Sequence, residues 1–164
     1  MAKGIFAATL DPFTNGHLYI VEVASNLFDT LYICIATNPE KKERTFEKEG
    51  MKEAIEQTLK EKNINNCEVI CYDGEIINLA KEVGATYVVR GMRSSKEFDY
   101  EKRVATEYYK GGLETIYVSS GSYVGDGVLS RTSSTLVRNL LKENKPISQY
   151  VPEPVEKFIF ESKK

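Results

Sequence analysis

The sequence predicts an α/β fold in which a five-stranded parallel sheet carries helices on both faces. Three observations predict it. Short apolar runs alternate with segments of helical period along the whole chain. The runs are apolar at successive positions, the pattern of strands covered on both sides. No internal repeat, linker or low-complexity stretch interrupts the alternation, so the 164 residues read as a single domain spanning 1–164. Alternation of this kind gives a doubly wound, Rossmann-like sheet.

The elements follow in order. Residues 4–9 form the first apolar run. Residues 16–28 have helical period, with Ile20, Val21, Ala24, Leu27 and Phe28 on one face. Residues 31–37 are the second run. Residues 46–62 are helical, with Met51, Ala54, Ile55 and Leu59 in register. Residues 67–72 are the third strand, and the helix at 75–83 turns Ile76, Leu79, Ala80 and Val83 inward. Residues 86–90 are the fourth strand, followed by a long polar helix over about 95–110. Residues 115–119 are the fifth strand. A helix at 133–143 carries Leu136, Val137, Leu140 and Leu141, and an amphipathic piece at 154–162 comes last.

Composition narrows the function. Apolar residues make up 41% and charged residues 28%, an ordered rather than disordered balance. A net charge of -2 gives no general attraction to nucleic acid or an acidic membrane surface, so neither is expected as a partner. No apolar run could span a bilayer, and the N-terminus reads as a strand rather than a signal peptide. The expected compartment is the cytoplasm. Cys34, Cys67 and Cys71 are an odd set that suggests no disulfide framework, and they read as small buried hydrophobes.

In such sheets ligands bind past the carboxyl ends of the strands. After the first strand comes Thr9-Leu10-Asp11-Pro12-Phe13-Thr14-Asn15-Gly16-His17. Pro12 and Gly16 set the turn chemistry, and His17, the only histidine, falls in the first helical turn, where an anion is favoured. Asn38-Pro39-Glu40-Lys41-Lys42 follows the second strand and Arg90-Gly91-Met92-Arg93 the fourth. Two guanidinium forks suit phosphate oxygens; the competing reading pairs them with Glu97, Asp99 or Glu101. After the fifth strand a Gly- and Ser-rich loop leads to Ser130-Arg131-Thr132-Ser133-Ser134-Thr135, where Ser133 or Ser134 can cap a helix. Neither a hydrolase constellation nor a Walker-type loop appears. The inventory suits binding a polyphosphate and stabilising its charge.

Four segments agree in order and spacing with a known family: residues 9–17, Lys41-Lys42, residues 90–101 and residues 133–138. The run "RGMRSSKEFDYE" is the most specific of them. The chain resembles the bacterial phosphopantetheine adenylyltransferases, of the nucleotidyltransferase superfamily with the His-x-Gly-His motif. Thr14 stands where that superfamily usually has its first histidine, a replacement typical of this branch.

The resemblance implies transfer of an adenylyl group from ATP to 4'-phosphopantetheine, giving dephospho-CoA and pyrophosphate, with Mg2+ accompanying ATP and no metal ligand from protein side chains. It implies a transition-state role for His17, with Lys41 and Arg93 also catalytic. Thr9, Lys41, Ile76 and Arg90 would hold the acceptor. Thr9, Leu10, His17, Gly91, Met92, Arg93, Glu101 and residues Leu129, Ser130, Arg131, Thr132, Ser133, Ser134 and Thr135 would line the ATP site. It further implies a homohexamer and feedback inhibition by CoA. Ala8, Leu10 and Arg131-Thr132 depart from the family pattern, and the loop at 121–128 is about one residue longer. The rival readings are a related nucleotidyltransferase using CTP or another phosphorylated acceptor, and a non-catalytic nucleotide- or CoA-binding protein.

Overall fold

A computed structural model describes residues 1–37, 43–119 and 131–162. Its five strands are β1 (Lys3–Ala8), β2 (Thr30–Ala36), β3 (Cys67–Tyr72), β4 (Tyr87–Met92) and β5 (Glu114–Ser119). They pair in the order β3-β2-β1-β4-β5, and every pairing is parallel. The helices are α1 (Asn15–Ser25), α2 (Lys48–Glu61), α3 (Ile76–Val83), α4 (Phe98–Lys110), α5 (Ser134–Lys142) and α6 (Glu153–Glu161). The expected doubly wound sheet is therefore present.

Alternate residues of each strand feed two cores, because successive side chains point to opposite faces. Phe6, Leu31, Ile33, Ile35 and Val89 pack with α1, α2, α5 and α6 on one face. Ile5, Tyr32, Cys34 and Val88 pack with Leu79 and Ala80 of α3 and with Leu113 on the other. This explains the unbroken apolar runs. All three cysteines are free, but only Cys34 is buried as expected, Cys67 and Cys71 being half-buried; burial pushes the Cys34 thiol up to about 12 and the Cys67 thiol up to about 11.

Three expectations need correction. α1 stops at Ser25 instead of continuing to Phe28, so Leu27 leaves the inward face and is 54% exposed. Phe28 is still buried, but from the connection, where its ring fills the space that a Cβ on Gly4 would take, 2.8 Å away. β4 runs two residues past Arg90, with Gly91 opposite Val118 and Met92 opposite Ser119. The polar helix starts later than expected, at Phe98, after a short 3-10 turn at Ser95–Glu97.

The sheet order places its topological switch between β1 and β4, neighbours whose outgoing connections run to opposite sides. β1 stays paired with β2 through Ala8, and β4 with β5 through Met92. The β1–β4 pairing, in contrast, ends at Phe6 and Val89. Past that register the two central strands part, and a crevice opens at their carboxyl ends.

Candidate active site

A pocket of about 410 Å³ fills this crevice. Its floor is β1 from Phe6 to Ala8 with Thr9 just beyond it, and one wall is Arg90 and Gly91 at the end of β4 with Arg93 just after it. His17 on α1 faces it, and residues 132–135 at the start of α5 close the far side. Thus Thr9, His17, Arg90, Gly91, Arg93, Glu101, Thr132, Ser133, Ser134 and Thr135 converge as the sequence predicts.

The remaining predicted residues lie elsewhere. Leu10 is sealed in the core at 1% exposure, so only its backbone could serve a ligand. Ile76, at the start of α3, packs on the second core, and neither it nor Met92 lines the pocket. Arg131 is exposed and also stands outside the lining. Lys41, Leu129 and Ser130 fall outside the described residues.

Local chemistry fixes His17. Thr14 is the N-cap of α1, and its hydroxyl accepts from the His17 backbone N–H at 3.4 Å. In return the Thr14 backbone N–H donates to Nδ1 of His17 at 3.0 Å, a capping box closed by imidazole. Threonine here does the work of a cap, which a histidine could not do as well. With Nδ1 accepting, the neutral ring carries its proton on Nε2 and offers that N–H as a donor. Burial, and secondarily the Arg93 guanidinium, lowers the imidazole from 6.5 to about 4. His17 is thus neutral at pH 7, a hydrogen-bond donor rather than a cation. Its ring sits between Phe13, 5.7 Å away by centroid, and Phe6 at 6.1 Å.

The arginines are braced as well as convergent. Arg90 makes a two-pronged pair with Glu101, Nε to Oε2 at 2.6 Å and a terminal nitrogen to Oε1 at 3.0 Å. Burial opposes the charge on Arg90, but Glu101 outweighs it and holds the guanidinium above its ordinary value. Arg93 donates to the Thr132 carbonyl at 3.1 Å and lies 3.7 Å from the Glu97 carboxylate. Two of the three carboxylate partners in the competing sequence reading are therefore real, yet both arginines still line the pocket. Glu101, which the family resemblance implies as a nucleotide contact, spends its carboxylate on Arg90.

The α5 end of the pocket is tied to the β1 loop. Ser133 is the N-cap of α5, its hydroxyl accepting from the Leu136 N–H at 3.0 Å. Ser134 donates to the Pro12 carbonyl at 2.7 Å, and Arg138 to the Asp11 carbonyl at 2.6 Å. Sequence reading missed Arg138, which lines the pocket. It sits one helical turn after Ser134, and that spacing was the available signal. α1 comes close to this end, where a Cβ on Gly16 would stand in ordinary contact, 3.4 Å from the Thr132 carbonyl.

Two helix N-termini, three arginines, a neutral imidazole donor and several hydroxyls therefore surround one volume. That arrangement can bind a chain of phosphates and stabilise added negative charge. Among the described residues no group of three or more His, Cys, Asp or Glu is placed to hold a metal.

Fold and site define a nucleotide-handling α/β domain, and a family model described as cytidylyltransferase-like matches residues 5–146. A phosphopantetheine adenylyltransferase of Bacteroides thetaiotaomicron is 40% identical over 157 residues, covering 95% of this chain and 99% of the relative. One of Streptococcus pneumoniae is 38% identical over 169 residues, covering 98% and 96%. One of Streptococcus agalactiae is 36% identical over 156 residues, covering 93% and 92%. The chain belongs to the phosphopantetheine adenylyltransferases, within the cytidylyltransferase-like family. Among solved structures, one described as a candidate nicotinate-nucleotide adenylyltransferase of Vibrio parahaemolyticus superposes with a TM-score of 0.68 at 19% identity. It covers 98% of this chain and 93% of that one, and it bears on fold alone.

Proposed function

We propose that this protein transfers an adenylyl group from ATP to 4'-phosphopantetheine, giving dephospho-CoA and pyrophosphate. The observation that carries the reading is the crevice between β1 and β4, where His17, Arg90 and Arg93 converge with the α5 N-terminus. An oxygen of the acceptor phosphate attacks the α-phosphorus of ATP. A new P–O bond forms, the bond to the β-phosphate bridging oxygen breaks, and pyrophosphate leaves with that electron pair. No side chain needs to become covalently attached, so catalysis is alignment and charge stabilisation.

In this reading Arg90, held by Glu101, faces the acceptor phosphate together with Thr9 and Lys41. Arg93 and residues 133–135 receive the β- and γ-phosphates. The Nε2–H of His17 donates to the α-phosphate as charge grows there. The pocket's phosphate-facing groups are cations, hydroxyls and amides, and its buried carboxylate is engaged. Such a donor set suits Mg2+ carried on the nucleotide's own oxygens, where it would neutralise phosphate charge. A homohexamer, inhibition by CoA and a cytoplasmic location complete the proposal. Among the described residues no helix is long and apolar enough to cross a membrane.

The test is release of pyrophosphate from ATP or CTP in the presence of Mg2+, with 4'-phosphopantetheine, glycerol 3-phosphate or nicotinamide mononucleotide as acceptor. ATP with 4'-phosphopantetheine is the expected productive pair. A preference for CTP with glycerol 3-phosphate would sink the reading.

A further inference from the structure

Arg44 stands outside the pocket wall yet is fastened to it through the backbone. Its Nε donates to the Phe46 carbonyl at 2.6 Å, one terminal nitrogen donates to the Leu10 carbonyl at 2.8 Å, and the other donates to the Thr9 carbonyl. The Asp11 carboxylate replies by accepting the backbone N–H groups of Thr45 and Phe46, each at 2.8 Å. Residues 44–46 and the loop at 9–11 therefore brace each other with four hydrogen bonds, although they lie more than thirty positions apart.

The braced loop is conformationally expensive. Leu10 has φ of 49°, in the left-handed region that disfavours a branched side chain by about 1 kcal/mol or more. The Thr9–Leu10 peptide is trans, so the Thr9 C=O and the Leu10 N–H lie in one plane on opposite sides of the bond. Fixing that carbonyl on Arg44 turns the Leu10 N–H away from Arg44. Thr9, the other half of the same peptide, is part of the pocket floor.

We infer that Arg44 is a positioning residue of the nucleotide site: it fixes the Thr9–Leu10 peptide so that the Leu10 N–H faces the pocket and donates to a nucleotide phosphate. The inference rests on the adenylyl-transfer reading and deepens it. A guanidinium is needed because its planar fork reaches three carbonyls at once, which an ammonium on a single point cannot.

Calorimetric titration with ATP tests this on full-length wild type, Arg44→Lys and Arg44→Ala, each below its own thermal midpoint. Both variants should bind ATP about tenfold or more weakly, and millimolar guanidinium should restore part of the loss in Arg44→Ala. A folded Arg44→Lys with a lowered midpoint but an ATP dissociation constant within about twofold of wild type would make Arg44 structural only. A second measurement needs no variant to fold. In wild type labelled with 15N-leucine, the Leu10 amide resonance should move on addition of ATP, and an unmoved amide overturns the inference. Pyrophosphate release by the wild type is recorded alongside. A wild type that binds ATP without releasing pyrophosphate defeats the activity reading alone, and the dissociation constants still decide the role of Arg44.

Discussion

Acidification should weaken this fold through one identifiable side chain. His17 has a pKa near 4 in the folded protein against 6.5 for an ordinary imidazole. Between those two values the unfolded chain binds a proton that the folded chain refuses. Stability is therefore complete above about pH 6.5, and the His17 contribution is lost as pH falls toward 4. At 1.36 kcal/mol per pH unit the loss amounts to roughly 3 kcal/mol, a large share of a typical domain's stability. Because the chain has a single histidine, its Hε1 proton resonance can be followed directly. The expected midpoint is about 4. Urea unfolding at pH 7, 6 and 5 should show a falling free energy in wild type. In His17→Asn the slope should be smaller, which separates the histidine from carboxylates that titrate near the low end. An Hε1 midpoint near 6.5 would refute the argument, for it would mean that the ring is hydrated and can be charged in the pocket.

Three further outcomes are expected. His17→Ala should lower single-turnover rate by about a hundredfold, equivalent to about 3 kcal/mol, while ATP affinity changes little; near-normal turnover in a folded variant would return His17 to a capping role alone. Arg93→Lys should weaken ATP by about tenfold although charge is kept, since the fork that meets both the Thr132 carbonyl and a phosphate is gone; unchanged ATP affinity in steady-state kinetics would contradict this. Glu101→Gln removes one partner of a buried pair and should cost about 3 kcal/mol, a drop of roughly 6–12 °C in thermal midpoint. It should also raise the KM for 4'-phosphopantetheine more than that for ATP, and equal effects on the two would separate Arg90 from the acceptor.

Much of this was legible in sequence because the relevant physics is local. Apolar runs long enough for one strand, and helical runs with one oily face, carry their own period, and the five strands and six helices of the described residues were found from it. His17 announced itself by its place just inside a helix, and the cap of α5 was narrowed to Ser133 or Ser134, of which the fold uses Ser133. What was not legible depends on partners far away in the chain. Arg44 and Asp11 look like ordinary surface charges until the fold brings residues 44–46 against the β1 loop. Gly91 and Met92 did not read as strand because glycine interrupts the pattern, yet pairing with β5 overrides that weak preference. Leu27 was misplaced because period alone cannot tell where a helix ends. Asn26 caps α1, and the chain turns before Leu27 can reach the core.

The paired state of Arg90 and Arg93 governs what the pocket will accept. Arg90 meets a ligand already engaged by Glu101, and Arg93 already engaged by Glu97 and a carbonyl. Any anion must compete with a carboxylate for those N–H groups, so the gain from each arginine is a difference between two bonds. A small monoanion offers one contact and wins little from such an exchange. A triphosphate displaces or shares several partners at once and adds the helix N-termini to its side of the balance. The pocket consequently selects by how many charges arrive together, and the neutral His17 keeps that selection from collapsing into attraction for every passing anion.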